Sequence, residues 1–123
     1  MSTVLQGLTQ AGSGVGHQLS FPTINMAYFG EESGVFAGKV LFDGVWYLAA
    51  INIGGRPTVD DKTDICEAFI LGWEGEIPLG TEIKVELLEK LREVKKFDSL
   101  EDLKEQISKD VEFIKNCYTG KVD

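Results

Sequence analysis

Short hydrophobic segments recur along the first three-quarters of the chain, some continuous and some alternating with polar positions, and both patterns are typical of β-strands. Residues 35–42 and 45–51 are rich in β-branched and aromatic side chains and are separated by Asp43-Gly44. An Asp-Gly pair between two such segments predicts a β-hairpin with a type I′ turn, because both turn residues need a positive φ.

Two further segments, residues 65–73 and 82–89, have strand patterns and are separated by turn-like sequence. The second alternates charged side chains with an apolar set on one face, which predicts a strand with one buried side. That apolar set consists of Ile83, Val85 and Leu87.

The period changes to that of a helix in residues 99–118. Ser99 begins a capping-box pattern, and apolar residues then recur at helical spacing. Several short strands followed by one helix favour a closed barrel or a sandwich with the helix packed outside. The apolar positions of the helix are Leu100, Leu103, Ile107, Val111, Ile114 and Tyr118.

The composition is that of one acidic globular domain spanning residues 1–123. Of the 123 residues, 43% are hydrophobic, and 20 Asp and Glu against 12 Lys and Arg leave a net charge of −8. Polyanion binders use Lys and Arg to neutralise phosphates, so the composition argues against nucleic acid as a partner.

Other features favour a cytoplasmic protein without membrane attachment. The longest apolar run, residues 45–51, is too short to span a bilayer, and the N-terminus lacks the basic start and apolar core of a signal peptide. Cys66 and Cys117 match no metal-ligand spacing and are expected to be reduced thiols.

A glycine-dense segment, residues 12–17 (GSGVGH), is a candidate phosphate-binding loop. Such a loop lets backbone N–H groups approach phosphate oxygens. It is not a Walker A loop, because no Lys-Ser/Thr pair follows. Composition alone favours the alternative, a mobile surface loop.

Thr23 and Asn25 are two residues apart, so an extended segment presents both side chains on one side. Their hydroxyl and amide oxygens are hard ligands suited to Mg²⁺, with nucleotide phosphates completing the coordination. The alternative is a strand entry in which both side chains bond to local backbone, and without further context this alternative is favoured.

Glu67 interrupts an apolar strand face. Burial raises the pKa of a carboxyl group toward the range of a general base. The alternatives are that this face is exposed to solvent, or that Arg56 or a lysine neutralises the carboxylate, and the sequence alone does not decide. The other residues of that face are Ile65, Phe69, Leu71 and Trp73.

Taken in order, these motifs resemble the riboflavin kinase (flavokinase) family over nearly the whole chain, from residue 7 to about residue 114. Where that family usually shows G-F-P-T-A-N, this chain has S-F-P-T-I-N at residues 20–25. Each motif is weak alone, and their order and spacing make the resemblance specific. The other matching segments are residues 7–12, 16, 34–37, 52–58, 67–71, 91–100 and 103–110.

The resemblance implies a mainly β fold, a six-stranded antiparallel Greek-key barrel with a C-terminal α-helix packed outside. It also implies the family's reaction, which transfers the γ-phosphoryl group of ATP to the ribityl 5′-hydroxyl of riboflavin and gives FMN and ADP. ATP and riboflavin are then the small-molecule substrates, and Mg²⁺ is the cofactor.

Roles for individual residues follow from the same resemblance. Glu67 would be the general base on the ribityl hydroxyl, and Thr23 and Asn25 would hold Mg²⁺ and the nucleotide phosphates. Further ATP-binding positions would be Gly12, Gly16, His17, Ile70 and Gly72, and flavin-binding positions would be Arg92, Lys95 and Phe97.

Bacterial members of the family usually carry this module behind an FMN adenylyltransferase domain, so the chain is either a single-domain kinase or part of a longer protein. A monomer is expected. The alternative function is a catalytically inactive flavin- or nucleotide-binding barrel that acts as a sensor or regulator. It is motivated by His17 and Ser20, which stand where the family usually has a basic residue and a glycine.

Overall fold

The computed structural model describes residues 3–10, 23–28, 32–54, 64–71, 77–94 and 98–118. These residues form strands followed by a C-terminal helix. In chain order the elements are β1 (Thr3–Leu8), β2 (Thr23–Tyr28), β3 (Gly34–Phe42), β4 (Val45–Gly54), β5 (Asp64–Ile70), β6 (Glu82–Arg92) and α1 (Leu100–Tyr118).

The strands form one antiparallel six-stranded sheet in the order β1-β6-β3-β4-β5-β2. Strand β6 returns to pair with β3 after the consecutive strands β3, β4 and β5, which is a Greek-key arrangement. The two outer strands meet at a bridge, where the Gln10 N–H donates to the Asn25 carbonyl oxygen at 2.8 Å. The sheet therefore curls on itself, and the predicted fold class is confirmed.

The predicted hairpin joins β3 to β4. Phe42 pairs with Val45, and the turn residues Asp43 and Gly44 have φ angles of 51° and 79°. Both angles are positive, as a type I′ turn requires.

Alternate residues of the strands face two different apolar layers. The interior core lies inside the curled sheet, and its members include Ile24, Met26, Phe36, Val40, Ile51, Ile53, Cys66, Ala68, Ile70, Ile83, Val85 and Leu87. The helix-facing layer lies on the outer side of the sheet and consists of Ala37, Leu48, Ala50, Phe69, Leu71 and Leu91 with Leu103, Ile107, Val111, Ile114 and Tyr118 of α1.

Helix α1 begins where the capping pattern predicts. The Asp102 N–H donates to the Ser99 side-chain oxygen at 3.1 Å, which satisfies one backbone donor of the first turn. Glu101 and Asp102 in the first turn and Lys115 in the last turn complement the helix dipole. Among the described residues, no helix is long and apolar enough to cross a membrane.

A side chain at position 38 would disturb the pairing of β3 with its neighbours. A Cβ atom on Gly38 would collide with the Glu86 carbonyl oxygen and with the side chain of Ile51, which is fully buried. We expect Gly38→Ala to lower the free energy of unfolding by about 1–3 kcal/mol, measured by urea denaturation.

Gly54→Ala is the matched control for this substitution. Among the described residues, a Cβ atom there would meet only Val94, at 3.6 Å, which is an ordinary van der Waals distance. An equal loss of stability in Gly38→Ala and Gly54→Ala would contradict the steric explanation.

Candidate active site

One row of residues crosses five neighbouring strands. Val35 of β3 pairs with Arg92 of β6 and with Asn52 of β4, Asn52 pairs with Glu67 of β5, and Glu67 pairs with Asn25 of β2. Directly opposite residues of an antiparallel pair project to the same face of a sheet. These five residues, called the cross-strand row below, therefore share one face.

The cross-strand row lies on the outer face of the sheet. Along β3, β4 and β5, its members stand two residues from Ala37, Ala50 and Phe69, all of which belong to the helix-facing layer. The intervening residues Ile51 and Ala68 point into the interior core. The row therefore borders the apolar layer beneath α1.

Glu67 is half-buried in this row. Burial raises the pKa of its carboxyl group above the ordinary value. Its neighbours in the row, Asn25 and Asn52, are neutral amides, and no described residue forms an ion pair with it. A carboxyl group of raised pKa thus lies on the apolar strand face, as expected. Arg56, which was named as a residue that could neutralise it, lies outside the described residues.

Thr23 and Asn25 lie on β2, the strand that pairs with the Glu67 strand β5. Thr23 pairs with Phe69 and Asn25 with Glu67, so both side chains lie on the outer face. Asn25 is only 7% exposed. Neither side chain forms a hydrogen bond within the part of the chain that the structure describes.

The donor atoms of this corner suit Mg²⁺ bound together with phosphate. Thr23 and Asn25 contribute hydroxyl and amide oxygens beside the Glu67 carboxylate, and hard cations of this size prefer such oxygens while keeping phosphate and water ligands. Over the described ranges, no three His, Cys, Asp or Glu side chains come together as a metal-binding group.

Arg92 is held on the same face by an irregularity in β6. Val35 pairs with Arg92, whereas the next residue of β3 pairs with Lys90, so Leu91 is an extra residue in the strand. Such a β-bulge redirects side chains locally. Leu91 contributes to the helix-facing layer and Arg92 reaches α1, where Asp110 accepts its hydrogen bonds.

Two residues to which the sequence assigned no site role also lie on this face. Strand β4 continues past its predicted end at residue 51 and includes Asn52. The sequence feature that could have indicated a role for Asn52 is its amide side chain in an otherwise apolar strand. Asp110 was missed although it stands three residues after Ile107 and four before Ile114, on the apolar side of the helix.

Of the remaining predicted site residues, only Ile70 is described, and it lies outside the cross-strand row. Ile70 is 2% exposed and its side chain packs in the interior core, on the other face of β5 from Glu67. Six predicted positions lie outside the described residues and stay predictions, namely Gly12, Gly16, His17, Gly72, Lys95 and Phe97.

Cys66 precedes Glu67 but points the opposite way, into the interior core. Burial, and secondarily the Glu67 charge, raises its thiol pKa to about 12, so the thiolate nucleophile is not available at neutral pH. Cys66 and Cys117 are both free thiols, as expected.

The raised pKa of Glu67 has a consequence for stability. In the folded chain this pKa exceeds the ordinary value of 4.5, so the folded state binds the proton more tightly than the unfolded state does. The resulting stabilisation is fully present below pH 4.5 and is lost as the pH rises through the folded pKa. We therefore expect Glu67→Gln to raise the thermal midpoint relative to wild type at about pH 7 and to match it at about pH 4.

The exposed strand residue Glu82 supplies the matched control for this thermal measurement. Glu82→Gln should leave the midpoint nearly unchanged across the same pH range. A wild-type protein more stable than Glu67→Gln at neutral pH would contradict the desolvation of this carboxylate by burial.

Comparison with known proteins finds similarity to riboflavin kinases over most of the chain. The family model described as Flavokinase: Riboflavin kinase matches residues 2–118. The chain is 34% identical over 112 residues to the RNA-binding riboflavin kinase RibR of Bacillus subtilis, covering 89% of this chain and 48% of that protein. It is 35% identical over 113 residues to the bifunctional riboflavin kinase/FMN adenylyltransferase of Haemophilus influenzae, covering 89% and 36%.

The chain thus spans between about a third and a half of the length of these curated relatives. Their names describe proteins with additional activities, RNA binding in one and adenylyl transfer in the other. Those activities belong to proteins that extend well beyond the matched segment.

Two solved structures have a similar fold. The crystal structure of riboflavin kinase from Trypanosoma brucei superposes with a TM-score of 0.61 at 26% identity, covering 97% of this chain and 82% of that chain. A macrolide-efflux protein from Streptococcus pneumoniae superposes with a TM-score of 0.83 at 25% identity, covering 94% and 39%. Since these two names differ, a functional argument has to rest on the site and the sequence family rather than on the fold.

Proposed function

The chain belongs to the riboflavin kinase family, and from that premise we propose that it transfers the γ-phosphoryl group of ATP to the ribityl 5′-hydroxyl of riboflavin, giving FMN and ADP. The observation that carries this proposal is the pairing of Glu67 with Asn25 on one face of the sheet, with the Glu67 pKa raised by burial. A base and a phosphate-binding group then stand side by side.

Glu67 is proposed to be the general base. As the bond between the ribityl oxygen and the γ-phosphorus forms, the carboxylate accepts the hydroxyl proton and the bond to the ADP oxygen breaks. A carboxylate with a raised pKa is a stronger base than a solvated one, and its effectiveness grows as that pKa approaches the working pH. Burial next to neutral amides supports this role.

Thr23 and Asn25 are proposed to hold Mg²⁺ with the nucleotide phosphates. When bound, the metal ion neutralises phosphate charge, which allows an acidic protein to accept ATP. Opposite side chains of paired strands are about 5 Å apart at Cβ. Asn25 can therefore place a phosphate within reach of the hydroxyl that Glu67 contacts.

Arg92 is proposed to meet the ring end of riboflavin, together with Lys95 and Phe97. It stands three strands away from Glu67 in the sheet order, a backbone separation of about 14 Å for a flat sheet and less for a curled one. This span suits an isoalloxazine ring with its extended ribityl chain. The flavin would then lie along the cross-strand row, with its terminal hydroxyl at Glu67.

The segment with Gly12, Gly16 and His17 is proposed to cover the ATP phosphates, and Gly72 to line the nucleotide site. For Ile70, a contribution to that site would come from the backbone, because its side chain lies in the interior core. We further propose that residues 1–123 constitute a kinase domain, either alone or joined to an FMN adenylyltransferase domain in a longer protein. A monomer in the cytoplasm without a nucleic-acid partner stays a prediction.

A riboflavin titration run in parallel with an ATP-consumption assay tests this proposal against an inactive flavin-binding barrel. We expect riboflavin fluorescence to change on binding and ATP consumption to require riboflavin. Riboflavin binding without ATP consumption would instead support the sensor or regulatory module.

A further inference from the structure

The ion pair between β6 and α1 is part of a network of side-chain hydrogen bonds on the outer face. Arg92 donates to Asp110 from Nε at 3.3 Å and from Nη2 at 2.8 Å. Gln106 donates to the same carboxylate at 3.1 Å, and Arg92 Nη1 donates to the Glu93 carbonyl oxygen at 3.2 Å. All three nitrogens of the guanidinium group are thus engaged, which fixes its plane relative to the sheet.

This pair differs from the ion pair between Lys109 and Glu105 of α1. The Asp110 side chain is 8% exposed and that of Arg92 is 21% exposed, whereas Lys109 and Glu105 are 67% and 69% exposed. Exposed pairs contribute little to stability, and buried pairs often stabilise no more than apolar residues of equal volume would. Stability alone is therefore a poor reason for a buried carboxylate on the apolar side of the helix.

The position of the pair suggests a different reason. The β-bulge at Leu91 turns Arg92 toward the outer face, and Val35 connects it by strand pairing to Asn52 and so to Glu67. An arginine carries considerable rotamer freedom, and a forked carboxylate contact removes much of it before a ligand arrives. Ligand binding then requires less ordering of the side chain.

We propose that Asp110, assisted by Gln106, is a positioning residue that holds the Arg92 guanidinium group in the orientation needed to bind riboflavin at the far end of the cross-strand row. The inference rests on the proposed function and deepens it. Asp110 itself touches no substrate and acts through Arg92.

Kinetic analysis of Asp110→Asn tests the inference, with the KM for riboflavin, the KM for MgATP, kcat and the thermal midpoint measured together. We expect the KM for riboflavin to rise about 10- to 100-fold while the KM for MgATP stays within about twofold, because only the flavin end of the row is disturbed. Glu105→Gln, which breaks the exposed pair on the same helix, is the matched control and should change neither KM.

Combining Asp110→Asn with Arg92→Ala distinguishes a positioning role of Asp110 from a purely structural one. Arg92→Ala leaves a buried carboxylate without its partner and should lower the thermal midpoint, and adding Asp110→Asn should restore part of that loss. The KM for riboflavin should not rise further in the double variant, because Asp110 acts only through Arg92. The inference would be overturned if the increase in the KM for riboflavin in the double variant equalled the product of the increases in the two single variants.

If Asp110→Asn does not fold, the same kinetic constants are measured for Asp110→Glu, which keeps the negative charge. Its longer side chain displaces the guanidinium group, so the KM for riboflavin should still rise several-fold. An unchanged KM in any folded Asp110 variant, in a protein whose wild type forms FMN, overturns this inference alone. A wild type that forms no FMN removes the proposed function instead.

Discussion

Glu67→Gln is expected to lower kcat for FMN formation by about 10²- to 10⁴-fold, the usual contribution of a general base. The amide cannot accept the hydroxyl proton, but it retains the size and shape of the carboxyl group. Riboflavin affinity should therefore be largely intact. Chromatographic detection of FMN gives the rate, and a fluorescence titration gives the riboflavin Kd.

Glu82→Gln, on the exposed side of β6, is the control for this substitution and should retain wild-type kcat. Wild-type turnover by Glu67→Gln would refute the assignment of the base. A joint loss of riboflavin binding and of the thermal transition would mean that the variant had not folded, although relief of a buried charge predicts the opposite.

Thr23→Ala and Asn25→Ala are each expected to raise the KM for MgATP by about 10- to 100-fold, which corresponds to the loss of one charge-assisted contact. The KM for riboflavin should change far less, because the flavin ring is proposed to lie at the other end of the row. Steady-state kinetics with each substrate varied in turn measures both constants.

Thr3→Ala, at an exposed position of β1, is the matched control and should leave both constants unchanged. Equal increases in the two KM values for Thr23→Ala or Asn25→Ala, together with a lowered thermal midpoint, would indicate a general folding defect. That result would contradict a specific role in binding MgATP.

Local sequence signals predicted the parts of the fold that depend on short-range chemistry. The Asp43-Gly44 turn and the Ser99 cap were evident because backbone conformation and capping are decided within a few residues. The alternation in β6 correctly separated buried from charged positions up to Leu87.

Strands β1 and β2 were not identified from periodicity, and only for β1 does the pattern of burial explain it. Four of the six residues of β1 are exposed and the other two are half-buried, so no buried face marks the strand. Strand β2 does alternate, with Ile24, Met26 and Tyr28 buried in the interior core, so its periodicity is present in the sequence and was missed. The bulge at Leu91 was also unpredictable, because it depends on pairing with β3 rather than on the sequence of β6 alone.

The candidate site was predictable only in part. Glu67, Thr23 and Asn25 could be named from the sequence, and alternation placed Glu67 on the face of Phe69 correctly. Their mutual proximity required the pairing of β2 with β5, strands separated by about forty residues of chain that local patterns do not connect. The same reason explains why Asp110 was missed, because its partner Arg92 lies on another element.

Multiple-turnover formation of FMN from riboflavin and MgATP is the most direct test of the central claim. We expect many FMN molecules per protein molecule, ADP in equal amount, and loss of both products in Glu67→Gln. Folded wild-type protein that binds riboflavin and forms no FMN would contradict it.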